Sequence, residues 1–414
     1  MSNFLRRLPL SRLLFLCGAV VAIGAVAAAL ATALVTGPTP PPKPLADAIH
    51  DALTEGHANP VSGVSARIVF TNHLIEGTSL ASQGGGASAA ASPLLTGASG
   101  RLWISSEGKL RVELQSERGD TEIFYDGHTV SMYDGSSNSL YRYTPQESGD
   151  ADNGSSDGSG HGIPTVAEIQ EAIVKVMRHA NLSGATPTDV AGQAAYAVRI
   201  SPSHDGGLVG GAELAWDATH GIPLRLAVYS TQSATPVLEL SATEVSYGAI
   251  SDSVFTFTPP PGAKVTEVEP PHAGAHARGE GSKQSVTHEQ GLAAVQAAVP
   301  FTVDAPGTLA GMTRDEVRGA QLNGQAAALV TYGKGLGGIA VLQSKAKAGE
   351  EAGSQESGAL SFLGDLPKVA LPGASATELP TPLGTIMRFE RGGVDYLLAG
   401  SVTPATLQDA AKGL

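Results

Sequence analysis

A chain of 414 residues is long enough for two ordinary domains, and a hydrophobic share of 42% is that of a globular protein, although aromatic residues make up only 5%. A net charge of −13 with no clustered basic stretch excludes nucleic acid as a partner, because phosphate binding needs a concentrated positive surface. A single cysteine, Cys17, lies near the N-terminus, so disulfides and thiolate catalysis are excluded from everything that follows it.

Arg6, Arg7 and Arg12 precede an apolar run from Leu13 to Val35 in which only Thr32 is polar. A helix rising about 1.5 Å per residue over that length crosses the ~30 Å hydrocarbon core of a bilayer. With the arginines held on the cytoplasmic side, residues 1–36 read as a single-pass anchor to the cell membrane, leaving the bulk of the chain extracytoplasmic. The other reading is a cleaved signal peptide, for which Ala31 and Ala33 supply the small-x-small pattern; the run is longer than the ~7–15 residues of an ordinary signal core. Leu16 before Cys17 does not suit a lipoprotein acceptor site.

Residues 37–46, "GPTPPPKPLA", form a proline-rich, extended spacer. The first large domain is expected over 47–268. It opens on a short amphipathic helix, "PLADAIHDAL", and continues with strands: "VSARIVFTNHLI", "GRLWISS", "KLRVELQS", "TEIFYDG", "HTVSMYD" and "SLYRYTP". Alternation in Leu110, Val112 and Leu114, and again in Ile123 and Tyr125, predicts an antiparallel meander with one apolar face. Two glycine- and serine-rich stretches, Ser82 to Ser92 and Ser148 to Gly162, read as surface inserts. Between the second insert and the next strands, Val166, Ile169, Ile173, Val176 and Met177 fall at helical spacing. A helix with such a stripe needs a sheet to cover. The later strands are "AAYAVRISP", "GAELAWD", "IPLRLAVYS" and "PVLELSATEVSYG".

The domain closes on "DSVFTFTPPPGAKV", where Phe255 and Phe257 read as the last side chains of a strand before the prolines, pointing into an apolar interior. Residues 269–288 read as a linker; its histidines, His272, His276 and His288, have no zinc-ligand spacing, and no metal site is expected. Residues 289–414 read as a smaller α+β domain. In it "TRDEVRGAQL" is a short helix or turn, "AAALVTYG" and "GIAVLQSK" are strands, "TIMRFERGGVDYLLAG" is a hairpin, and Thr403 with Pro404 begins a terminal helix.

No catalytic constellation emerges: P-loop, HExxH, GxSxG and CxxC patterns are all absent. The clusters "GGLVGG" and "GKGLGG" read as turn glycines, and the pairs Asp126/His128 and Asp217/His220 as hairpin-turn polar residues. The chain is therefore expected to be a binding protein that uses neither an enzymatic mechanism nor a cofactor. A one-sided apolar sheet that curls under a helix leaves a cavity fit for an acyl chain; the same side chains packed on each other would instead make a closed core. Burial at ~0.8 kcal/mol per CH₂ lets a 16-carbon chain contribute on the order of 10 kcal/mol before ordering costs. The candidate lipid-lining residues are Trp103, Leu114, Tyr125, Met132, Trp216, Leu226 and Phe257.

The stretch from about Val61 to Val268 resembles the outer-membrane lipoprotein carrier (LolA) family through "GRLWIS" followed by "KLRVEL", "YDGHTVSMYD", the Asp217–Leu226 run and "FTFTPPPGAKV". The resemblance implies an incomplete antiparallel β-barrel with a helical lid over a cavity for lipid chains, and an acyl lipid or lipoprotein as partner. It also implies that the aromatic strand before the prolines lines the barrel. Ser106 and Glu107 stand where the family has an arginine and a proline after the Leu-Trp strand, so that arginine's role in lid closure does not carry over. "GVDYLLAGSVTPATLQDAA" looks like the end of the small domain of the periplasmic regulator RseB, which implies the alternative of an envelope sensor whose C-terminal domain meets a membrane protein.

Overall fold

The computed structural model describes residues 37–58, 60–74, 97–117, 119–144, 164–267, 289–322, 325–346, 366 and 368–414. Leu13 to Val35, both glycine-rich inserts and the 269–288 linker lie outside the described residues.

The fold is α+β and is built on two sheets. The first has thirteen strands: β1 (Gly63–Asn72), β2 (Ala98–Ser105), β3 (Leu110–Ser116), β4 (Gly119–Tyr125), β5 (Val130–Asp134), β6 (Ser139–Tyr143), β7 (Ala180–Leu182), β8 (Thr186–Val190), β9 (Gln193–Pro202), β10 (Val209–Asp217), β11 (Pro223–Ser230), β12 (Leu238–Tyr247) and β13 (Lys264–Glu267). They run in the order β13-β6-β5-β4-β3-β2-β1-β12-β11-β10-β9-β7, with β8 also paired to β9. Two antiparallel meanders thus meet where β1 pairs with β12, and the sheet curls into a half-barrel. Only β13 pairs in parallel among these strands, against β6.

Helices α1 (Leu45–Ala58) and α2 (Val166–Val176) lie over one end of this sheet. Helix α2 starts where the sequence puts it, because Thr165 and Glu168 form a reciprocal capping box. Helix α1 packs Leu45 and Ala48 onto Tyr196, Val198 and Trp216. The chain ahead of it is held by a 2.6 Å hydrogen bond from the Tyr196 hydroxyl to the Pro41 carbonyl.

The second sheet has eight strands: β14 (Thr308–Leu309), β15 (Met312–Leu322), β16 (Gln325–Tyr332), β17 (Ile339–Lys345), β18 (Lys368–Leu371), β19 (Ala374–Thr381), β20 (Gly384–Arg391) and β21 (Val394–Gly400). Their order is β14-β15-β16-β17-β21-β20-β19-β18. Helix α3 (Leu292–Ala298) and helix α4 (Pro404–Lys412) contribute Val295, Leu407, Ala410 and Ala411 to its core with Val330, Val341, Phe389 and Leu398. As expected, Thr403 caps α4 and accepts from the Thr406 amide.

Two local expectations need correction. "TRDEVRGAQL" is neither helix nor turn but most of β15, paired with β16 along its length. Val317 is buried while Arg318 and Asp315 face water, so its charges belong to the solvent side of a strand. Phe255 does not end a strand either: Asp252–Phe255 is a single 3-10 turn, and regular pairing resumes only at β13, beyond the prolines.

Candidate functional site

Strand register assigns every side chain of the first sheet to a face, since partners directly opposite share a face and alternate residues change it. One row crosses β9, β10, β11, β12 and β1 as Val198, Leu214, Leu226, Leu240 and Phe70. A second crosses β1 to β6 as Ala66, Leu102, Val112, Ile123, Met132 and Tyr141. Both rows are apolar and lie on the face that the helices cover, here the inner face.

Cover stops part-way along the first row. Val198, under α1, is 7% exposed, whereas Leu214, Leu226 and Leu240 are 36%, 51% and 39% exposed. Large aliphatic side chains open to water on adjacent strands form a patch that single scattered apolar residues would not. At the covered end, α1, α2, β7 and β9 enclose a cavity of about 410 Å³ lined by residues that include Leu45, Ile49, Ile173, Leu182, Val198 and Ile200. That volume falls within the ~300–1,000 Å³ of ligand pockets. Glu168 is its one charged lining residue, and its carboxylate is already engaged by the Thr165 amide and hydroxyl.

The outer face is chemically different. Arg225 bridges Glu213 and Glu239 and also reaches Tyr229, while Arg111 pairs with Glu113 and Glu122. Next to this lattice, the segment after Ser251 lies against the outer face: the Phe257 ring stacks on Phe124 at 4.5 Å, and Arg111 donates to the Val254 carbonyl at 2.9 Å.

The candidate lining residues therefore divide. Leu114, Tyr125, Met132, Trp216 and Leu226 belong to the inner face. Trp103 and Phe257 do not: Trp103 shares the outer row with Arg111 and Phe124, and Phe257 borders a polar groove of about 400 Å³ with Asp126, Arg142 and Glu267. Neither side chain faces the inner rows. None of the seven lines the cavity between the helices, and the residues that do are on α1, α2, β7 and β9, with Pro164 just ahead of α2. The helical stripe of Ile169, Ile173 and Val176 was the sequence signal for them. Leu114 and Trp216 are buried, at 4% and 6% exposure, so of the five Leu226 is the most open.

Trp216 is followed by a polar lock. The Asp217 carboxylate, 1% exposed, accepts from the Thr219 amide (2.6 Å), the His220 amide (2.9 Å) and the Tyr247 hydroxyl. Burial pushes this carboxyl up, but the bonds from Tyr247, His220 and Thr219 outweigh it and hold it below the usual carboxylate range. Burial and the same carboxylate raise the Tyr247 phenol well above its ordinary value. Asp217 and His220 are thus turn residues, as expected. They fix the β10–β11 turn against α1, where Gly221 has φ +69° and a Cβ would stand 2.4 Å from the Ala52 carbonyl oxygen. Trp216 Nε1, buried in this region, has no hydrogen-bond partner among the described residues.

No protein-family model and no curated protein sequence matches the chain. Among solved structures, it is similar to MucB in complex with MucA(peri), at 14% identity over 89% of this chain and 97% of that one, with a TM-score of 0.39. The Pseudomonas aeruginosa MucA/MucB complex gives 15% identity over 89% of this chain and 96% of the other, TM-score 0.38. An outer membrane lipoprotein-sorting protein domain from Vibrio parahaemolyticus is matched over 51% of this chain and 97% of its own, at 11% identity and TM-score 0.17.

The membrane placement expected from the N-terminus is corrected. Among the described residues no helix is long and apolar enough to cross a membrane, and Leu13–Val35 lies outside them.

Proposed function

We propose that the first sheet binds acyl chains of a lipid or lipoprotein, entering between α1 and α2 and lying along the inner face, and that the chain is a binding protein and not an enzyme. The observation that carries the reading is the row Val198, Leu214, Leu226, Leu240, which is buried at Val198, where α1 packs, and open beyond it although the side chains stay aliphatic. Covering such a row with hydrocarbon removes apolar surface from water at about 25 cal/mol per Å². The chemistry of the lining fits an aliphatic tail and offers nothing for a charged one, since Glu168 is already hydrogen-bonded.

Two uses of such binding fit the fold. As a carrier the protein delivers the acyl chain to an acceptor; as a sensor it changes, on occupancy, a contact between the C-terminal unit and a membrane protein. Hydrogen bonds from the Leu208 and Val209 amides to Ser401 join the two units and favour keeping the second reading, because a carrier has no need of them. A fluorescent fatty-acid analogue titrated into detergent-free protein tests the binding: saturable enhancement displaced by palmitate supports it, and a flat titration refutes it. Capture from solubilised membranes then separates the uses, a lipoprotein pointing to the carrier and a signalling protein to the sensor.

A further inference from the structure

The two glycine clusters that stand out in the sequence, "GGLVGG" and "GKGLGG", meet in space. The first covers the turn between β9 and β10, and the second the turn between β16 and β17. The Gly337 amide donates to the Asp205 carbonyl. A Cβ on Gly337 would stand 2.9 Å from that oxygen and 3.0 Å from the Gly207 nitrogen, and one on Gly207, at φ +59°, would stand 1.9 Å from the Ser401 carbonyl oxygen. Only backbone fits at this approach, which gives both clusters a physical reason to be glycine.

Ser401 closes the seam. Its carbonyl accepts from the Leu208 amide at 2.9 Å, and its hydroxyl accepts from the Leu208 and Val209 amides at 2.9 and 3.1 Å while donating to the Leu383 carbonyl at 2.7 Å. The seam is anchored at both ends. On one side the hairpin that carries it is β9–β10, and Val198 and Ile200 of β9 are walls of the apolar cavity. On the other, Gly337 leads into β17 and Ser401 follows β21, strands that pair with each other in the middle of the second sheet. Two residues past Ser401, Thr403 caps α4.

We infer that this glycine seam is the route by which occupancy of the cavity reaches the C-terminal unit: a ligand that displaces Val198 and Ile200 moves the β9–β10 turn, and the turn pulls on Gly337 and Ser401. The inference rests on the acyl-binding reading and adds its regulation. Several of the contacts across the seam are hydrogen bonds to backbone groups and to the Ser401 hydroxyl, so a small shift of the hairpin changes several bonds together. Coupling of this kind is reciprocal: whatever loosens the seam must change affinity in the cavity by the factor with which the ligand changes the seam.

The test uses the full chain and palmitate. Binding is measured by equilibrium dialysis with labelled palmitate, and the seam by hydrogen exchange at the Leu208, Val209 and Gly337 amides. Saturating palmitate is expected to change exchange at Gly337 by about fivefold or more in the wild type. In Ser401→Ala it should still bind, while the response at Gly337 falls below about twofold, the loss of most of that coupling. Gly207→Ala, which wedges the seam open, should behave likewise if it folds; the serine variant keeps the test decisive if it does not. Palmitate binding with unchanged exchange at Gly337, or a full response in Ser401→Ala, overturns the inference and leaves the binding site standing. No binding to the wild type overturns both.

Discussion

Replacing Tyr247 by Phe removes one hydroxyl and nothing else from the buried Asp217 cluster. The carboxylate keeps the amides of Thr219 and His220 but loses its side-chain donor from β12, in a place where water cannot substitute at 1% exposure. A hydrogen bond to a buried charge contributes about 1.5–3 kcal/mol, so Tyr247→Phe should cost about 2 kcal/mol at neutral pH. With a urea dependence of about 2 kcal/mol per M, the unfolding midpoint falls by about 1 M. Both tryptophans, Trp103 and Trp216, lie in the first sheet, so their fluorescence reports this unit alone. The pH dependence has a definite sign. Asp217 titrates below its ordinary range in the folded chain, so its contribution is present above the unfolded carboxylate pKa and is lost as pH falls through the depressed folded value. Without Tyr247 the folded value rises, the contribution shrinks, and the variant's deficit should narrow as pH drops below about 4 and on through the depressed folded value, where the wild-type carboxylate also protonates. Tyr125→Phe, whose hydroxyl donates to the exposed Gly127 carbonyl, is the control and should shift the midpoint little. Equal midpoints for Tyr247→Phe and the wild type at pH 7 would refute the view that this bond holds the β10–β11 turn.

Leu226→Asp, on the open inner row, should leave the unfolding free energy from urea titration within about 0.5 kcal/mol of wild type, because the site is half exposed, yet abolish binding of the fatty-acid analogue. Trp216→Asp places an unpaired carboxylate in a buried site and should unfold the first unit by circular dichroism, whereas Trp216→Phe, which removes the unpartnered indole N–H, should be tolerated. Thr165→Ala deletes the capping box and should cost about 1 kcal/mol, read as faster exchange of the Glu168 amide and weaker analogue binding as α2 frays. Gln343→Leu leaves the Asp304 amide and carbonyl, both bonded by the buried Gln343 side chain, without partners; the C-terminal unit should lose about 3 kcal/mol in thermal unfolding followed by circular dichroism.

Most of the architecture could be read from local chemistry. Alternation in Leu110–Leu114 and Ile123–Tyr125 marks strands because one face is buried, and Thr165 and Thr403 mark helix starts because hydroxyls satisfy free amides there. The strand β15 was hidden by its own charges: Arg314, Asp315, Glu316 and Arg318 crowd a short stretch, a bulge between Arg314 and Glu316 breaks the alternation, and Val317 is the one large side chain it buries. Face assignment failed where register is not written locally. Trp103 lies between Leu102 and Ile104, all three apolar, and only pairing with Arg111 places it outside. Phe257 looks like the end of a lining strand, but the chain has already left β12, crossed to the outer face and stacked it on Phe124. The meeting of the two glycine clusters, more than a hundred residues apart in the chain, has no local signature at all, since each alone is indistinguishable from a turn.

Occupancy of the inner face by hydrocarbon is tested most directly by mass spectrometry of an organic extract of the protein purified without detergent. Acyl lipid is expected in near-stoichiometric amount from the wild type and little from a folded Leu226→Asp variant. A folded wild-type protein that yields no lipid and takes up none from palmitate would contradict this occupancy, and the inner rows would then be a sheet face that no acyl chain covers.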